Sequence, residues 1–444
     1  MLGAIPYARM DPARPVCHFR APAQWMNDPN GTLYHDGWHH VFYQLHPFSD
    51  QSGPKYWGHA RTRDLVRWEH LPIALAPSVD AGESECWSGC ATIRPDGTPM
   101  IFYTSIGPER CPLDSAEQWA ALGCGDLTRW RKHPANPILT ASLHGKREIL
   151  DWRDPFVFHE DGRWFLVLGG HRKGGRGCVN LYSSDDLERW HYVSIALEGE
   201  EENWECPNLV CLGDLWALLY SPHSIVKYYT GKLDLERGRF VPVHHGIVDH
   251  GVFYASNIST DPSERHILWG WQRTAFRGRG WNGCLALPRV LGLKPDGSLT
   301  QQVAPELVAL RREQVHLDHA TFNAAGLHVK HCGGECLEIL LRVGLGDASG
   351  FTLAVGSAVI RWHDGVLDAS GVYVPVPLPR HGEPLELRVF LDRSLLEVFA
   401  DTGACASQWV DYREPYREVV LWTTRGGAEL LSIDVWRLEP VWIA

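Results

Sequence analysis

The sequence predicts an all-β protein, with a five-bladed β-propeller followed by a C-terminal antiparallel β-sandwich. Three observations lead to this prediction. Helical periodicity is nearly absent, and short apolar or alternating runs between Gly, Asp and Pro signals dominate the chain. A turn-and-strand pattern recurs five times in the first part of the chain. Alternating runs without helices fill the remainder.

The first repeated pattern is a turn followed by an apolar strand. Its copies are HDGWHHVFYQ (35–44), PDGTPMIFYTS (95–105), EDGRWFLVLGG (160–170), LGDLWALLYSP (212–222) and SERHILWGW (263–271). They follow one another at intervals of roughly fifty to sixty residues, which indicates one small antiparallel sheet per copy. Five such sheets arranged radially make a propeller. Stacking into a solenoid is disfavoured because the units carry long, irregular insertions.

A second pattern, D-L-x-R-W, follows the first as a turn leading into another strand. It occurs as DLVRW (64–68), DLTRW (126–130) and DLERW (186–190), with a weaker copy, DLERGRF, at 234–240. A final PDGSL (295–299) closes the series. The repeat therefore places the propeller domain at residues 1–300.

The repeat ends at a helix-like stretch, LTQQVAPELVALRREQ (299–314), which predicts a linker at 301–314. Alternating runs follow, among them GVYVPVPL (371–378) and LELRVFLDRSLLEVFAD (385–401), whose DRS is typical of a hairpin turn. These runs predict a β-sandwich domain at 315–444.

Composition limits the class of partner. A chain of 444 residues is long enough for two domains. Its net charge of -11 disfavours nucleic acid and anionic membranes, and no apolar run is long enough to span a bilayer. An uncharged small substrate is expected. The chain has 20 Trp, whose rings can stack on the apolar faces of sugars, although most of them are expected to pack in the protein core.

The N-terminus, MLGAIPYARMDPARP, has no apolar signal region, so a cytoplasmic location is expected; a mature secreted form would look the same. Cys178, Cys211 and Cys284 lie inside apolar runs, which predicts reduced, buried thiols. Cys86 with Cys90, and the HCGGEC run (331–336), lack a partner pair at zinc-site spacing. No metal and no cofactor are therefore expected.

Three acids stand at matching places in the repeat. Asp28 (QWMNDPNG), Asp154 (WRDPFVF) and Glu205 (NWECPNLV) each precede a copy of the first pattern, in the first, third and fourth blades. One such acid is more often part of a turn, but three that converge on a propeller funnel indicate glycosyl transfer. One acid acts as nucleophile or base, a second with raised pKa protonates the leaving oxygen, and a third binds sugar hydroxyls. Arg153 is expected to hold Asp154 ionised.

The chain resembles glycoside hydrolase family 32, the family of invertases and fructan hydrolases. The motifs that carry the resemblance are WMNDPNG, FYQ (42–44), WGHA (57–60), WSG (87–89), RDP (153–155), ECP (205–207), FYA (253–255), LWGW (268–271), LPR (287–289) and LDRSLLEVFAD. The resemblance implies a propeller plus sandwich and retaining hydrolysis of β-fructofuranosides. It implies Asp28 as nucleophile, Glu205 as acid/base and Asp154 as transition-state stabiliser.

The resemblance also implies a fructose subsite of eight further residues. They are Asn27, Gln44, Trp87, Ser88, Arg153, Cys206, Tyr254 and Trp271. For each of them the alternative is a strand-end packing or hydrogen-bonding role.

Three departures from the family pattern are expected to lie toward the leaving group. The loop after Gln44 reads LHPFSDQSGPKYW, with Phe48 and then no aromatic residue before Tyr56. Cys90 stands where Ser is usual, and FYASNIST replaces the more frequent FYAPQTF.

The sequence favours a β-fructofuranosidase that acts on sucrose or short fructo-oligosaccharides. A fructosyltransferase, or a levan- or inulin-oligomer hydrolase on the same scaffold, shares the motifs and stays open. A non-catalytic carbohydrate-binding protein is less favoured because all three acids are present, and an arabinan-acting relative is disfavoured by WMNDPNG and ECP. The oligomeric state is not readable from the sequence.

Overall fold

A computed structural model describes residues 1–110, 115–274, 276–377 and 383–442. Strands dominate, which confirms the all-β prediction. The helical elements among these residues are short: one α-helix, α1 (Ile5–Met10), and 3-10 helices at Leu2–Ala4, Val79–Ala81, Ala141–His144 and Pro305–Leu310. No helix in the described ranges is long and apolar enough to cross a membrane.

The first three sheets follow the first three copies of the repeat. The first holds β1 (Gln24–His35), β2 (Trp38–His46), β3 (Tyr56–Thr62) and β4 (Trp68–Leu75). The second holds β5 (Glu85–Ile93), β6 (Pro99–Ile106), β7 (Glu117–Gly123) and β8 (Trp130–Lys132). The third holds β9 (Ile149–Glu160), β10 (Arg163–Arg172), β11 (Arg176–Ser184) and β12 (His191–Glu198).

Two more sheets follow the fourth and fifth copies. The fourth sheet holds β13 (Glu205–Leu212), β14 (Leu215–Ser221), β15 (Lys227–Asp234) and β16 (Arg239–Ile247). The next strands are β17 (Phe253–Thr260), β18 (His266–Gln272), β19 (Trp281–Asn282), β20 (Cys284–Leu285), β21 (Arg289–Leu293) and β22 (Leu299–Val303). All of these except β19 form the fifth sheet, and β19 pairs in parallel with β1, so the first sheet is closed by a later strand.

The two sequence patterns occupy fixed places in the sheets. The first pattern forms the second strand of each sheet, and D-L-x-R-W forms the turn between the third and fourth strands. In the third copy, Asp186 Oδ1 accepts backbone N–H groups from Glu188 and Arg189, and Trp190 Nε1 donates to the backbone oxygen of Leu187. Leu187 is buried with φ +67°, so its side chain enters the core from the turn. The motif is therefore structural.

The first strands of the five sheets form a closed ring. β1 contacts β5, β5 contacts β9, β9 contacts β13, β13 contacts β17, and β17 contacts β1. Residues at the start of each first strand therefore lie around one axis. This arrangement positions the candidate site.

Two six-stranded antiparallel sheets follow. Their strands in chain order are β23 (Arg311–Phe322), β24 (Leu327–Gly334), β25 (Cys336–Gly344), β26 (Gly350–Val355), β27 (Ala358–His363), β28 (Val366–Ala369), β29 (Val372–Pro375), β30 (Leu385–Asp392), β31 (Leu395–Ala400), β32 (Cys405–Trp409), β33 (Tyr416–Thr423) and β34 (Ala428–Leu438). One sheet has the order β23-β34-β25-β30-β31-β32 and the other β24-β33-β26-β27-β28-β29. Apolar side chains from both sheets form one buried cluster.

The segment predicted as a linker is structured. It contains the end of β22, the 3-10 helix Pro305–Leu310 and the beginning of β23. Leu307 and Leu310 are buried in a cluster that also takes Phe390 and Phe399 from the last sheets. The helix-like stretch therefore forms only one short 3-10 helix between two strands, because its apolar residues pack against both neighbouring parts. Leu378, the last residue of the predicted run 371–378, lies outside the described residues.

A buried polar cluster joins the two parts of the chain. Arg289 of β21 is fully buried, and its Nη2 donates to Asp249 Oδ2 (2.9 Å) and Glu397 Oε2 (2.6 Å). His18 lies between Glu397 (Nε2, 2.9 Å) and Asp392 (Nδ1, 2.8 Å). The LPR and LLEVFAD motifs thus meet at this contact.

The cysteines of the described ranges are unpaired thiols, as predicted; Cys111 lies outside those ranges. Cys178 and Cys284 are buried as predicted, whereas Cys211 is partly exposed. The reason is its place at the end of β13, where its Sγ donates to the backbone oxygen of Gly213 in the following turn.

Candidate active site

Each first strand of the ring carries a register shift at the same height. Two residues of the first strand there oppose one residue of the second strand, which is the pattern of a β-bulge. The bulged pairs and the residues opposite them are Asn27–Asp28 with Gln44, Trp87–Ser88 with Thr104, Asp154–Pro155 with Leu168, Cys206–Pro207 with Tyr220, and Ala255–Ser256 with Gly270. The bulges interrupt the ladder, so these residues are free to turn toward the axis.

The three predicted acids occupy three successive positions about this bulge. Glu205 directly precedes it, Asp154 is its first residue and Asp28 its second. The sequence analysis placed them at equivalent positions; the structure corrects this, because the bulge re-aims consecutive side chains instead of alternating them. Asp154 and Cys206 have φ of +63° and +46°, a conformation that is uncommon for residues other than glycine.

All eleven predicted site residues line one cavity of about 300 Å³. They are Asn27, Asp28, Gln44, Trp87, Ser88, Arg153, Asp154, Glu205, Cys206, Tyr254 and Trp271. Trp25, Ser52 and Lys55 complete the lining. The volume suits a small ligand such as one or two sugar rings.

Asp28 lies among hydroxyl, thiol and carboxyl groups. Ser88 Oγ donates to its Oδ2, and Cys206 Sγ lies 3.6 Å from the same oxygen. Burial, together with the negative charges of Asp154 and Glu205, raises the pKa of Asp28 to about 7. Near neutral pH this carboxyl is therefore poised between its two forms.

Asp154 is held by backbone and thiol donors. Its Oδ2 accepts the backbone N–H of Cys206 (2.9 Å) and lies 3.5 Å from Cys206 Sγ. Arg153 Nε is 3.8 Å away. Burial raises the pKa of Asp154, and the opposing effect of the guanidinium is the smaller one. Arg153 therefore favours the ionised form of Asp154, as expected, but burial has the larger effect on its pKa.

The Arg153 guanidinium is directed elsewhere. It donates to Glu205 Oε1 and to Asp151 Oδ1, and Asp151 Oδ2 in turn accepts Nδ2 of Asn203 (2.8 Å). The guanidinium carbon lies 5.4 Å from the centre of the Trp87 ring. Arg153 thereby links the acid of the fourth sheet to the third sheet.

Glu205 receives three donors. Besides Arg153, Tyr254 Oη donates to Oε2, and His223 Nε2 lies 3.1 Å from Oε1. Burial alone would raise the pKa of Glu205, but His223, Arg153 and Tyr254 lower it to about 2. The expectation of a raised pKa for the proton donor does not hold for Glu205; Asp28 carries the more basic carboxylate.

The remaining predicted residues offer polar groups to the cavity. Asn27 Oδ1 and Trp271 Nε1 are buried without a hydrogen-bond partner among the described residues. Trp271 packs edge-on against Trp25, with ring centroids 6.2 Å apart. Unpaired buried donors and acceptors are costly, and sugar hydroxyls would satisfy them.

Sequence reasoning missed four neighbours of the site. Trp25 stands inside QWMNDPNG, and Ser52 and Lys55 lie in the loop after Gln44, so a signal was present for all three. Lys55 Nζ lies 4.9 Å from the centre of the Trp25 ring. His223 follows β14 and belongs to none of the motifs.

Two of the departures do not lie near the leaving group. Cys90 and Asn257 line a different cavity of about 470 Å³, further along the first strands. There, Asn257 Oδ1 accepts a hydrogen bond from Thr32 Oγ1 (2.6 Å). Both residues lie beyond the bulges, where the strands have passed the candidate site. Cys90 and the second half of FYASNIST are therefore not on the leaving-group side that was expected, whereas Tyr254 of the same segment lines the site. Phe48, in the loop, is 69% exposed.

One group in the described ranges has ligand atoms close enough to share a metal ion: Cys17, Cys336 and Asp392. It lies outside the candidate site, where the N-terminal segment meets the last sheets. Asp392 already accepts the backbone N–H groups of Val16, Cys17 and His18. These bonds hold the N-terminal segment in place.

Comparison with known proteins identifies related chains. The family model "Glycosyl hydrolases family 32 N-terminal domain" matches residues 18–303, and "Glycosyl hydrolases family 32 C terminal" matches 357–437. A sucrose-6-phosphate hydrolase of Escherichia coli is 30% identical over 96% of this chain and 94% of its own. A raffinose invertase of Escherichia coli is 30% identical over 96% and 95%.

Solved structures show the same fold. The β-fructofuranosidase of Bombyx mori in complex with sucrose superimposes with a TM-score of 0.83, at 26% identity and covering 100% of this chain and 98% of that chain. The sucrose-6-phosphate hydrolase of Lactobacillus gasseri gives a TM-score of 0.85 at 23% identity, covering 99% and 96%. Both likenesses extend over the whole chain.

Proposed function

Because the chain belongs to glycoside hydrolase family 32, we propose that it hydrolyses terminal β-D-fructofuranosides with retention, with Asp28 as nucleophile and Glu205 as acid/base. The chain is a glycoside hydrolase of the β-fructofuranosidase type. Asp154 is assigned to the fructose hydroxyls. The observation that carries these roles is that three acids from three sheets line one small cavity.

We also propose that the five ring-forming sheets are the five blades of one propeller. The closed ring of first strands and the position of each sequence repeat support this count. The domain bounds proposed from the sequence, 1–300 and 315–444 with a linker at 301–314, stay a prediction, as does a cytoplasmic location.

The roles follow from the chemistry of each position. The Asp28 carboxylate attacks the anomeric carbon of the fructosyl group while Glu205 donates a proton to the departing oxygen. Water then attacks the fructosyl–enzyme, and Glu205 takes the water proton. Asp28 must be ionised to attack, and hydrogen bonds from Ser88 and Cys206 favour that form.

The proposed substrates are sucrose and short fructo-oligosaccharides. The cavity offers hydrogen-bond donors and acceptors to one fructose, with Gln44, Asn27 and Trp271 in its lining. Ser52 and Lys55 from the loop after β2 are proposed to face the leaving group. Fructosyl transfer, or a preference for levan or inulin oligomers, depends on this side of the cavity.

The test compares Asp28→Asn and Glu205→Gln with the wild-type protein. Each should lower kcat by about three orders of magnitude or more while the fold survives, because the nucleophile or the proton donor is lost. Asp185→Asn is the matched control, since that carboxylate is 86% exposed and lies outside the cavity. Activity of either site variant within a few-fold of the control contradicts the assignment.

Two product measurements complete this test. NMR of the first product from sucrose should show fructose with the retained anomeric configuration, and an inverted product rules out Asp28 as nucleophile. A panel of sucrose, sucrose 6-phosphate, kestose, inulin and levan, with transfer products monitored, separates hydrolase from transferase. Binding of these sugars without any turnover would favour the non-catalytic alternative.

A further inference from the structure

His223 stands at the rim of the candidate site with two contacts to its acid. Its Nε2 lies 3.1 Å from Glu205 Oε1. Its backbone N–H donates to Tyr254 Oη (2.9 Å), and that hydroxyl donates to Glu205 Oε2. The three residues therefore form a closed ring of two hydrogen bonds and one ion-pair contact that includes the Glu205 carboxyl group.

The backbone of His223 is held in an unusual conformation. Its φ is +59°, a left-handed conformation that is strained for a residue with a side chain. The preceding Pro222 and the bond to Tyr254 fix this turn directly after β14. The turn aims the imidazole at Glu205 while leaving the side chain 54% exposed.

We propose that His223 carries protons between solvent and Glu205, as a positioning and proton-relay residue for the acid/base. This inference rests on the proposed function, in which Glu205 is the acid/base. Among the groups around Glu205, the guanidinium of Arg153 cannot give up its proton, and Tyr254 is a weak acid. The imidazole is the partner whose proton is exchangeable near neutral pH.

The proton balance has two halves. As the glycosidic bond breaks, the imidazolium Nε2 of His223 passes its proton to Glu205 Oε1, and Glu205 gives one proton to the leaving oxygen. The leaving alcohol departs, and the neutral imidazole regains a proton from solvent. In the second half, the imidazolium first returns this proton to solvent. Glu205 then takes a proton from the attacking water and passes it to the neutral imidazole, which restores the starting protonation of both groups.

Other charged groups act on this pair. Arg153 and the acids Asp28 and Asp154 face it inside the cavity, and Glu202 and Arg273 face it at the rim. The hydrogen bond to Glu205 raises the pKa of His223, and His223 contributes to the lowered pKa of Glu205. Each group therefore favours the charged form of the other, with the proton on the imidazole.

The test is the pH profile of kcat/KM for sucrose with wild-type and His223→Gln proteins. Without the imidazole, Glu205 must hold the proton alone beside Arg153. In His223→Gln, the alkaline limb of the profile should shift to lower pH by about one unit or more. At alkaline pH, kcat/KM should therefore fall by about tenfold or more relative to wild type. At acid pH the two proteins should agree within a few-fold. In His223→Ala, added imidazole should restore the alkaline rate, because the side chain is exposed.

A matched control is available on the sandwich. His328 Nδ1 lies 3.1 Å from Glu418 Oε2 in a half-exposed pair that resembles the His223–Glu205 contact. His328→Gln should leave the profile unchanged.

NMR titration of the His223 ring provides a readout that does not need turnover. Its pKa should fall in Glu205→Gln. A uniform loss at every pH, without a shift of the alkaline limb, or a His223 titration that is the same with and without the Glu205 charge, refutes the relay alone. A wild-type protein that titrates as expected but releases no fructose refutes the proposed function.

Discussion

Arg289→Met tests the buried contact that joins the two parts of the chain. The substitution removes a guanidinium that is fully buried between Asp249 and Glu397, both of which are fully buried as well. It also removes the bond from Arg289 Nη1 to Gln301 Oε1 (3.0 Å). The methionine side chain fills part of the space, but two carboxylates lose their shared cation.

The magnitude follows from the cost of an uncompensated buried charge. Removing one partner of a buried pair destabilises a protein by about 3–5 kcal/mol. We place Arg289→Met in this range, because Glu397 keeps His18 and Asp249 keeps the backbone and hydroxyl donors of Ser407. For a large chain with a urea slope of about 3 kcal/mol/M, this corresponds to a midpoint lowered by roughly 1 M.

The assay is urea unfolding followed by tryptophan fluorescence and far-UV circular dichroism, whose transitions must coincide for the free energy to be defined. Arg342→Met is the control, because its partner Glu386 and the arginine itself are about half exposed (46% and 51%). Such a surface pair is worth about 1 kcal/mol or less. Adding Glu397→Gln to Arg289→Met should recover part of the loss, since one orphaned charge is then removed. Equal midpoints for Arg289→Met and the control would refute the reasoning.

Three further predictions concern pH, the thiol and the loop. His18 has a pKa raised to about 9 by Asp392 and Glu397 despite the opposing effect of burial, so its share of the stability is complete below pH 6.5 and is lost as pH rises from there through 9. His18→Gln should therefore flatten the decline of the urea midpoint between pH 6 and 9, and an unchanged slope contradicts this. Cys206→Ala should raise KM several-fold and lower kcat by no more than about tenfold. Only a weak S–H donor is lost, while the backbone N–H of residue 206 still donates to Asp154. A loss of kcat as large as that of Asp28→Asn would contradict this minor role of the thiol. Lys55→Met should change the ratio of sucrose to sucrose 6-phosphate turnover more than it changes fructose binding, and steady-state kinetics on both sugars, with fructose as a competitive inhibitor, checks this.

The repeat, the all-β class and the residues of the cavity could be predicted because each depends on local signals. A turn pattern specifies a strand pair, and QWMNDPNG, RDP and ECP each lie in a first strand. The electrostatics could not be predicted, because they depend on which neighbour a side chain meets. Arg153 is adjacent to Asp154 in sequence, yet its guanidinium pairs with Glu205 of the next sheet.

The bulges explain most of the remaining differences. In a regular strand, residues two apart share a face, so Ser88 and Cys90 would line the same cavity. The extra residue in the bulged pair Trp87–Ser88 belongs to the candidate site, and Cys90, which lies further along the strand beyond the bulge, lines the other cavity instead. A sequence gives no direct sign of the extra residue that makes a β-bulge. His223 was missed for a related reason, because a turn residue gains its role only when β14 places it beside the fourth sheet's acid.

The five bulges also separate two roles that usually fall on the same residues of a strand: pairing with the neighbouring strand and presenting a functional side chain. Pairing along the ladder fixes the strands on both sides of each bulge, whereas the two bulged residues contribute little to that pairing. The side chains of the bulged residues can therefore differ from sheet to sheet without a change in the ladder, so each sheet can present a different functional group to the axis. A family built on this frame can evolve new acceptors or leaving groups by changing one sheet at a time, without redesigning the ring that carries the chemistry.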